Sequence, residues 1–194
     1  MANSYTNVSN NKTKMAVKTI YLAGVPASGK STLFKMIRSQ LFDGANEFKD
    51  GKCRGIENGA YEMLGVFDGS TFEGTDKLSM TVIGDAIEHI KKLSRDNDRH
   101  VVFVEGDRLF NYRFLRETRA VLFLIDASEE ELYARHIERG DTQTHTFLRS
   151  RRSKVENFIA KYNAQRIWNN NPQDQKRIFD YIIKIAKEYV DERK

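Results

Sequence analysis

One cysteine, two prolines and a single tryptophan stand among 194 residues. With Cys53 alone, no disulfide can form within the chain, which suits a reducing compartment. No base neighbours Cys53, so a structural role outweighs a reactive thiol. So little proline, with only twelve glycines, excludes collagen-like and low-complexity classes. No apolar run approaches the ~20 residues that span a bilayer. The first fourteen residues are polar and lack the apolar centre of a secretion signal, so a cytoplasmic location is expected. His89, His100, His136 and His145 are the only histidines. None stands at a metal-ligand spacing from another or from Cys53.

What is present describes an ordinary globular chain. Hydrophobic residues make up 40% and charged residues 30%, and the length suits one domain with a sizeable core. The formal charge is +5. An arginine-rich anion site accounts for such an excess, and so does a polyanionic partner such as DNA. The excess is modest and on its own favours the first.

Residues 1–14 show no apolar periodicity and read as a loose tail. The rest, 15–194, reads as one domain. Lys18 to Ala23 is a short apolar run of strand type that ends at a glycine. From Lys30, Leu33, Phe34, Ile37 and Leu41 recur at helical spacing. Residues 43–60, rich in glycine and charge, read as a long connection with room for a hairpin. Tyr61 to Phe67 reads as a second strand, ending at Asp68-Gly69. Ser79 is placed to cap a helix whose stripe is Met80, Ile83, Ile87, Ile90 and Leu93. His100 to Val104 and Ala120 to Ile125 are continuous apolar runs, the mark of strands covered on both faces. A short helix spans Asn111 to Thr118. Ser128 with Glu131 is a capping box opening a helix to Arg139. After the polar break Gly140 to His145, a basic stretch runs from Phe147 to Trp168. Asn171-Pro172 opens a final helix. Strands alternating with helices predict a three-layer α/β fold with a mostly parallel sheet.

The chemistry lies in Gly24-Val25-Pro26-Ala27-Ser28-Gly29-Lys30-Ser31. It fits the pattern GxxxxGK[ST], with the strand before it and the helix after it that the pattern requires. Glycines let the backbone curl so that successive N–H groups point at phosphate oxygens. The following helix adds its positive N-terminal end. Gly24, Ala27, Ser28, Gly29, Lys30, Ser31 and Thr32 are therefore the expected ATP contacts, with Lys30 against the β- and γ-phosphates and Ser31 on Mg²⁺. Such a loop binds nucleotide without fixing the reaction. Kinases, switch NTPases and sulfotransferase-like variants all use it, and the length favours a small kinase.

Carboxylates just past strand ends lie where an open α/β sheet places its ligands. Asp68 is the expected general base and Glu105 the carboxylate on the Mg²⁺ side; Asp107 is able to exchange roles with either. Arg135 and Arg139 lie four apart on one helix face. With Arg149, Arg151, Arg152 and Lys154 beyond the break, they make a helical, arginine-bearing lid over about 136–156. Arg135 is assigned to ATP, Arg139 to catalysis, and Arg108 and Arg151 to the acceptor. Trp168 and the tyrosines are able to stack a base, although most such aromatics are core.

GVPASGKST, the strand-end carboxylates and the lid region together resemble the nucleoside and nucleotide kinase superfamily of P-loop proteins, over most of residues 18–190. A narrower likeness lies in Phe72-Glu73-Gly74-Thr75-Asp76-Lys77-Leu78-Ser79, Arg139-Gly140-Asp141-Thr142-Gln143, Phe147-Leu148 and Arg151, Lys154 and Asn157. These resemble the phage-type 5-hydroxymethyluracil DNA kinases, which phosphorylate a base hydroxymethyl group in phage DNA. That resemblance implies a DNA acceptor, Asp76 as a second candidate for contacting the hydroxymethyl group, and Phe72 stacked on the target base. The alternatives are a soluble nucleoside or nucleoside monophosphate kinase, a small-metabolite kinase, and a nucleotide-binding switch without acceptor chemistry.

Overall fold

The computed structural model describes residues 16–70, 73–95, 98–140, 144–162 and 164–192. The tail expected over 1–14 lies outside them, as do Phe72 and residues 141–143 of the expected lid. In chain order the elements are β1 (Val17–Gly24), α1 (Lys30–Leu41), β2 (Asn46–Asp50), β3 (Cys53–Asn58), β4 (Tyr61–Leu64), α2 (Ile83–Leu93), β5 (His100–Glu105), α3 (Tyr112–Glu117), β6 (Val121–Asp126), α4 (Glu129–Glu138), α5 (His145–Tyr162), β7 (Arg166–Trp168) and α6 (Pro172–Asp191).

The strands form one seven-stranded sheet ordered β2-β3-β4-β5-β1-β6-β7. From β4 to β7 every pairing is parallel, while β2, β3 and β4 pair antiparallel. The central strands are apolar on both faces because helices cover both. Ile20 and Leu22 of β1, Phe103 of β5 and Ile125 of β6 pack under Leu33, Phe34, Ile37 and Leu41 of α1 and under Ile178 and Ile182 of α6. Their alternate neighbours Tyr21, Val102, Val104 and Leu124 face Ala86, Ile87 and Ile90 of α2, Phe114 of α3 and Val155 of α5. Each fully buried aliphatic or phenyl group contributes about 1.5–3 kcal/mol. This is the three-layer α/β fold with a mostly parallel sheet that the alternating pattern predicts.

The connection over 43–60 contains the hairpin it has room for, β2 paired with β3, which takes up most of it. Other local expectations need correction. The strand read over 61–67 stops at Leu64; Val66 instead makes an isolated bridge with Gly74. Ser79 does not cap α2. It bends the preceding turn, accepting from the Thr81 N–H at 3.3 Å and, through its carbonyl, from Val82 at 3.1 Å. Met80 is 76% exposed and belongs to no core stripe. The basic stretch from Phe147 ends in an unexpected strand, Arg166–Trp168, paired with β6. Capping by Ser128 and Asn171 is as expected, and Asn111 caps α3 as well: each side chain accepts a backbone N–H at the start of its helix.

Candidate active site

Parallel β1, β5 and β6 bring their carboxyl ends to one edge of the sheet, with Glu105 opposite Leu22 and Gly24 opposite Ile125, one residue before Asp126. Gly24 has φ 148°, and a Cβ there would sit 1.8 Å from the Ile125 carbonyl oxygen. Only glycine lets the loop leave β1 so close to β6. Gly29 at φ 91° precedes α1 without a side-chain cap, so the first N–H groups of that helix stay available to an anion. Lys30 Nζ folds back on the loop and donates to the Val25 carbonyl at 2.7 Å and to Ser28 Oγ at 3.4 Å.

Ser31 Oγ donates to Glu105 Oε1 at 3.2 Å. Glu105 is nearly buried. Burial pushes its carboxyl above the ordinary range, opposed by the Lys30 ammonium and reinforced by Asp76. Burial in turn lowers Lys30, opposed by Glu105 and Asp107. Around these residues lies a cavity of about 240 Å³, with Gly24, Pro26, Ala27, Lys30 and Ser31 on the loop side. Asp76, Glu105, Asp107, Arg139 and Arg151 face them across it. Among the described residues no group of three or more His, Cys, Asp or Glu is placed to hold a metal alone. The donor set nevertheless fits Mg²⁺: a hydroxyl and a carboxylate are hard oxygen ligands, and this ion normally takes few protein ligands and completes its shell with phosphate and water.

A second cavity, about 160 Å³, shares Ser31, Asp76 and Glu105 with the first. Phe34, Lys35 and Arg38 of α1 line it, with Phe67, Ser70, Glu73 and Gly74. The rings of Phe34 and Phe67 lie 6.2 Å apart, and the Arg38 guanidinium sits 5.0 Å from the Phe67 centroid. Glu73 braces this wall. It accepts from Arg38 at 2.8 Å and from the Gly69 N–H at 2.6 Å. Asp76 reaches the junction because it rides a 3-10 turn, Thr75–Lys77, tied to β5. The Thr75 hydroxyl donates to the Glu105 carbonyl, and the Asp107 N–H donates to Asp76 Oδ1 at 3.4 Å.

The expected site residues thus divide. Lys30, Ser31, Asp76, Glu105, Asp107, Arg139 and Arg151 meet around the loop cavity. Asp68, the expected base, does not line either cavity; it pairs with Lys77 Nζ at 2.6 and 2.8 Å. Those bonds, with help from Ser70, hold its carboxyl well below the usual range. Arg108 donates to the Asp76 carbonyl at 2.8 Å and to Met80 sulfur, so it supports the turn from behind rather than lining either cavity. Arg135 points at the back of the loop, donating to the Ala27 carbonyl at 3.2 Å and to the Asn169 carbonyl at 2.8 Å. Asp107 clamps α5, pairing with Arg151 at 2.5 Å and Lys154 at 3.1 Å. Phe72 lies outside the described residues. Sequence reasoning missed Phe34, Lys35, Arg38, Phe67 and Asn169. Lys35 and Arg38 carried a signal, being cations on the helix that leaves the loop.

The fold and this loop define a P-loop nucleotide-binding protein of the kinase type. The family model P-loop Nucleotide Kinase3 matches residues 15–172, and the chain belongs to that family. Its function is therefore of the nucleotide kinase kind. None of the curated proteins matches it. Among solved structures, it is similar to the YorR protein of Bacillus subtilis in complex with phosphorylated GDP, at 16% identity and TM-score 0.49, over 88% of this chain and 96% of that one. Among the described residues no helix is long and apolar enough to cross a membrane.

Proposed function

We propose that the protein transfers the γ-phosphoryl group of ATP to a hydroxyl held in the Phe34–Phe67 cavity, with Asp76 as general base. The supporting observation is the junction: among the described residues, the two cavities share Ser31, Asp76 and Glu105. Donor phosphate and acceptor hydroxyl would meet there. The loop amides and Lys30 hold the β- and γ-phosphates. Ser31 and Glu105 would hold Mg²⁺, which neutralises charge on the phosphate oxygens when bound. Asp76 orients the hydroxyl and takes its proton, while Arg139 and Arg151 stabilise the charge spread over the transferred group.

Phe34 and Phe67 give the cavity an apolar wall, with Arg38 lying over Phe67 and shared with Glu73, and Lys35 and Arg38 bring positive charge to its rim, so the acceptor is a nucleotide unit. The finer reading is the hydroxymethyl group of 5-hydroxymethyluracil in phage DNA, which would place the protein in the host cytoplasm. The sequence resemblance around Asp76 supports it; the net charge of +5 is compatible with a DNA acceptor but does not select one. The second reading is a free nucleoside monophosphate, to which Lys35 and Arg38 offer the same charge.

The test incubates the protein with γ-labelled ATP and Mg²⁺ against three pools. These are hydroxymethyluracil DNA, unmodified DNA, and mixed nucleosides with monophosphates. Label in the first pool alone is the expected result. Label in the third alone moves the assignment to the second reading. Label in none overturns a nucleotide-unit acceptor and leaves a small-metabolite kinase or a nucleotide-binding switch.

A further inference from the structure

The phosphate loop has a bracket behind it, built from two residues far away in sequence. Asn169 is fully buried. Its Nδ2 donates to the Ser28 carbonyl at 2.8 Å across 141 residues of chain. Arg135 donates to the preceding carbonyl, Ala27, at 3.2 Å, and also to the Asn169 carbonyl at 2.8 Å. Its Nε is fixed by Glu131 at 2.8 Å. Asn169 is held from the other side as well, its N–H donating to the Asp126 carbonyl at 2.8 Å. Two successive loop carbonyls are thus tied to one rigid pair, anchored on β6, β7 and α4.

The peptides of the described chain are all trans, and in a trans peptide the N–H points opposite to the C=O. With the Ser28 carbonyl drawn to Asn169, the Gly29 N–H is turned the other way, away from Asn169, while the Ser28 N–H is turned inward on the loop and donates to the Val25 carbonyl at 3.4 Å. We infer that Asn169 and Arg135 are positioning residues, which hold the loop's amide donors in their phosphate-binding orientation before any nucleotide arrives. Donors fixed in advance need no reorganisation when charge reaches them.

Two further observations agree. A Cβ on Gly29 would lie 2.3 Å from Asn169 Nδ2, so glycine at 29 leaves the space through which the amide reaches Ser28. Among the described residues Asn169 Oδ1 has no hydrogen-bond partner, so this buried side chain acts there through its donor end alone. The three-residue strand β7 also acquires a purpose, since its pairing with β6 delivers Asn169 to the loop. Arg135, expected from sequence to touch ATP, acts in this account through the loop instead.

The inference rests on the loop being a phosphate site, and its test keeps the two apart. Inorganic tripolyphosphate, which carries no base or sugar, is titrated calorimetrically into the full chain and into Asn169→Leu, Asn169→Ala and Arg135→Gln. The Gly29 amide proton and nitrogen shifts are followed in parallel. Leucine nearly matches asparagine in size but cannot donate. The expected result is about tenfold weaker binding for both Asn169 variants, about threefold for Arg135→Gln, and a smaller Gly29 shift on saturation. Leucine restoring native affinity where alanine does not would make Asn169 a space-filler and overturn the inference. Should the Asn169 variants fail to fold, Arg135→Gln decides alone: affinity within error of the native chain overturns it. If the unaltered protein does not bind tripolyphosphate, the phosphate-site reading itself fails.

Discussion

Replacing Asp76 with asparagine, beside the same change at Asp68, separates two carboxylates that stand eight residues apart and compete for the role of base. Asp76 borders both cavities, on a turn fastened to β5 through Thr75 and supported by Arg108. Asparagine keeps its size and its capacity to accept from the Asp107 N–H, so the turn should stay in place. What is lost is the ability to take a proton. General bases contribute about two to four decades in rate, or roughly 3–5 kcal/mol at 1.36 kcal/mol per decade. Asp68 is exposed and paired with Lys77, and with Asp76 as the proposed base Asp68→Asn should turn over within about twofold of the unaltered chain. The assay is initial-rate transfer of label from γ-labelled ATP at saturating acceptor, with ATP affinity measured separately. Asp76→Asn should bind ATP normally and turn over slowly. Normal turnover in Asp76→Asn with a collapse in Asp68→Asn would refute the reasoning and restore Asp68.

Three other outcomes are expected. Lys30→Ala should lose both ATP binding and transfer, measured by calorimetry and label incorporation, because the phosphate charge is left uncompensated. Asp107→Asn should release Arg151 and Lys154 from their shared carboxylate. With all three side chains about a third exposed, the cost to stability is at most about 1 kcal/mol, so limited proteolysis within α5 should quicken while the melting temperature moves by only about 2–4 °C. The third concerns His89, whose Nε2 meets buried Glu62 at 2.7 Å and whose Nδ1 meets Asp50 at 3.2 Å. Burial lowers the imidazole pKa, but the Glu62 and Asp50 carboxylates more than offset it, so the net shift is upward. A raised pKa stabilises the fold fully below the unfolded value near 6.5 and loses that contribution as pH climbs through the folded value. The urea midpoint should therefore fall from pH 6 toward pH 9. His89→Ala should remove that slope and cost about 3–5 kcal/mol, since Glu62 is left unpaired.

Much of this was legible from local pattern. The phosphate loop, the strands that flank it and the caps at Ser128 and Asn171 each depend on neighbours a few residues away. Three things were not. The strand at Arg166–Trp168 is too short for a periodicity and follows a basic helix without a break in composition; it exists because β6 offers an open edge. Asp68 and Asp76 both sit in polar turns, and nothing nearby tells which is tied to β5 and which is taken by Lys77. The role of Asn169 depends on a contact across 141 residues. In Asn169-Asn170-Asn171 three identical side chains do different work. The first holds Ser28, the second accepts the Ser128 N–H at 2.8 Å, and the third caps α6.

The most direct measurement is a structure of the protein with Mg²⁺ and a non-hydrolysable ATP analogue. The account predicts the triphosphate wrapped by residues 24–31, its γ-phosphate beside Ser31 and Glu105 and facing the cavity of Phe34 and Phe67. Nucleotide bound elsewhere, or a γ-phosphate turned away from Asp76, would contradict it.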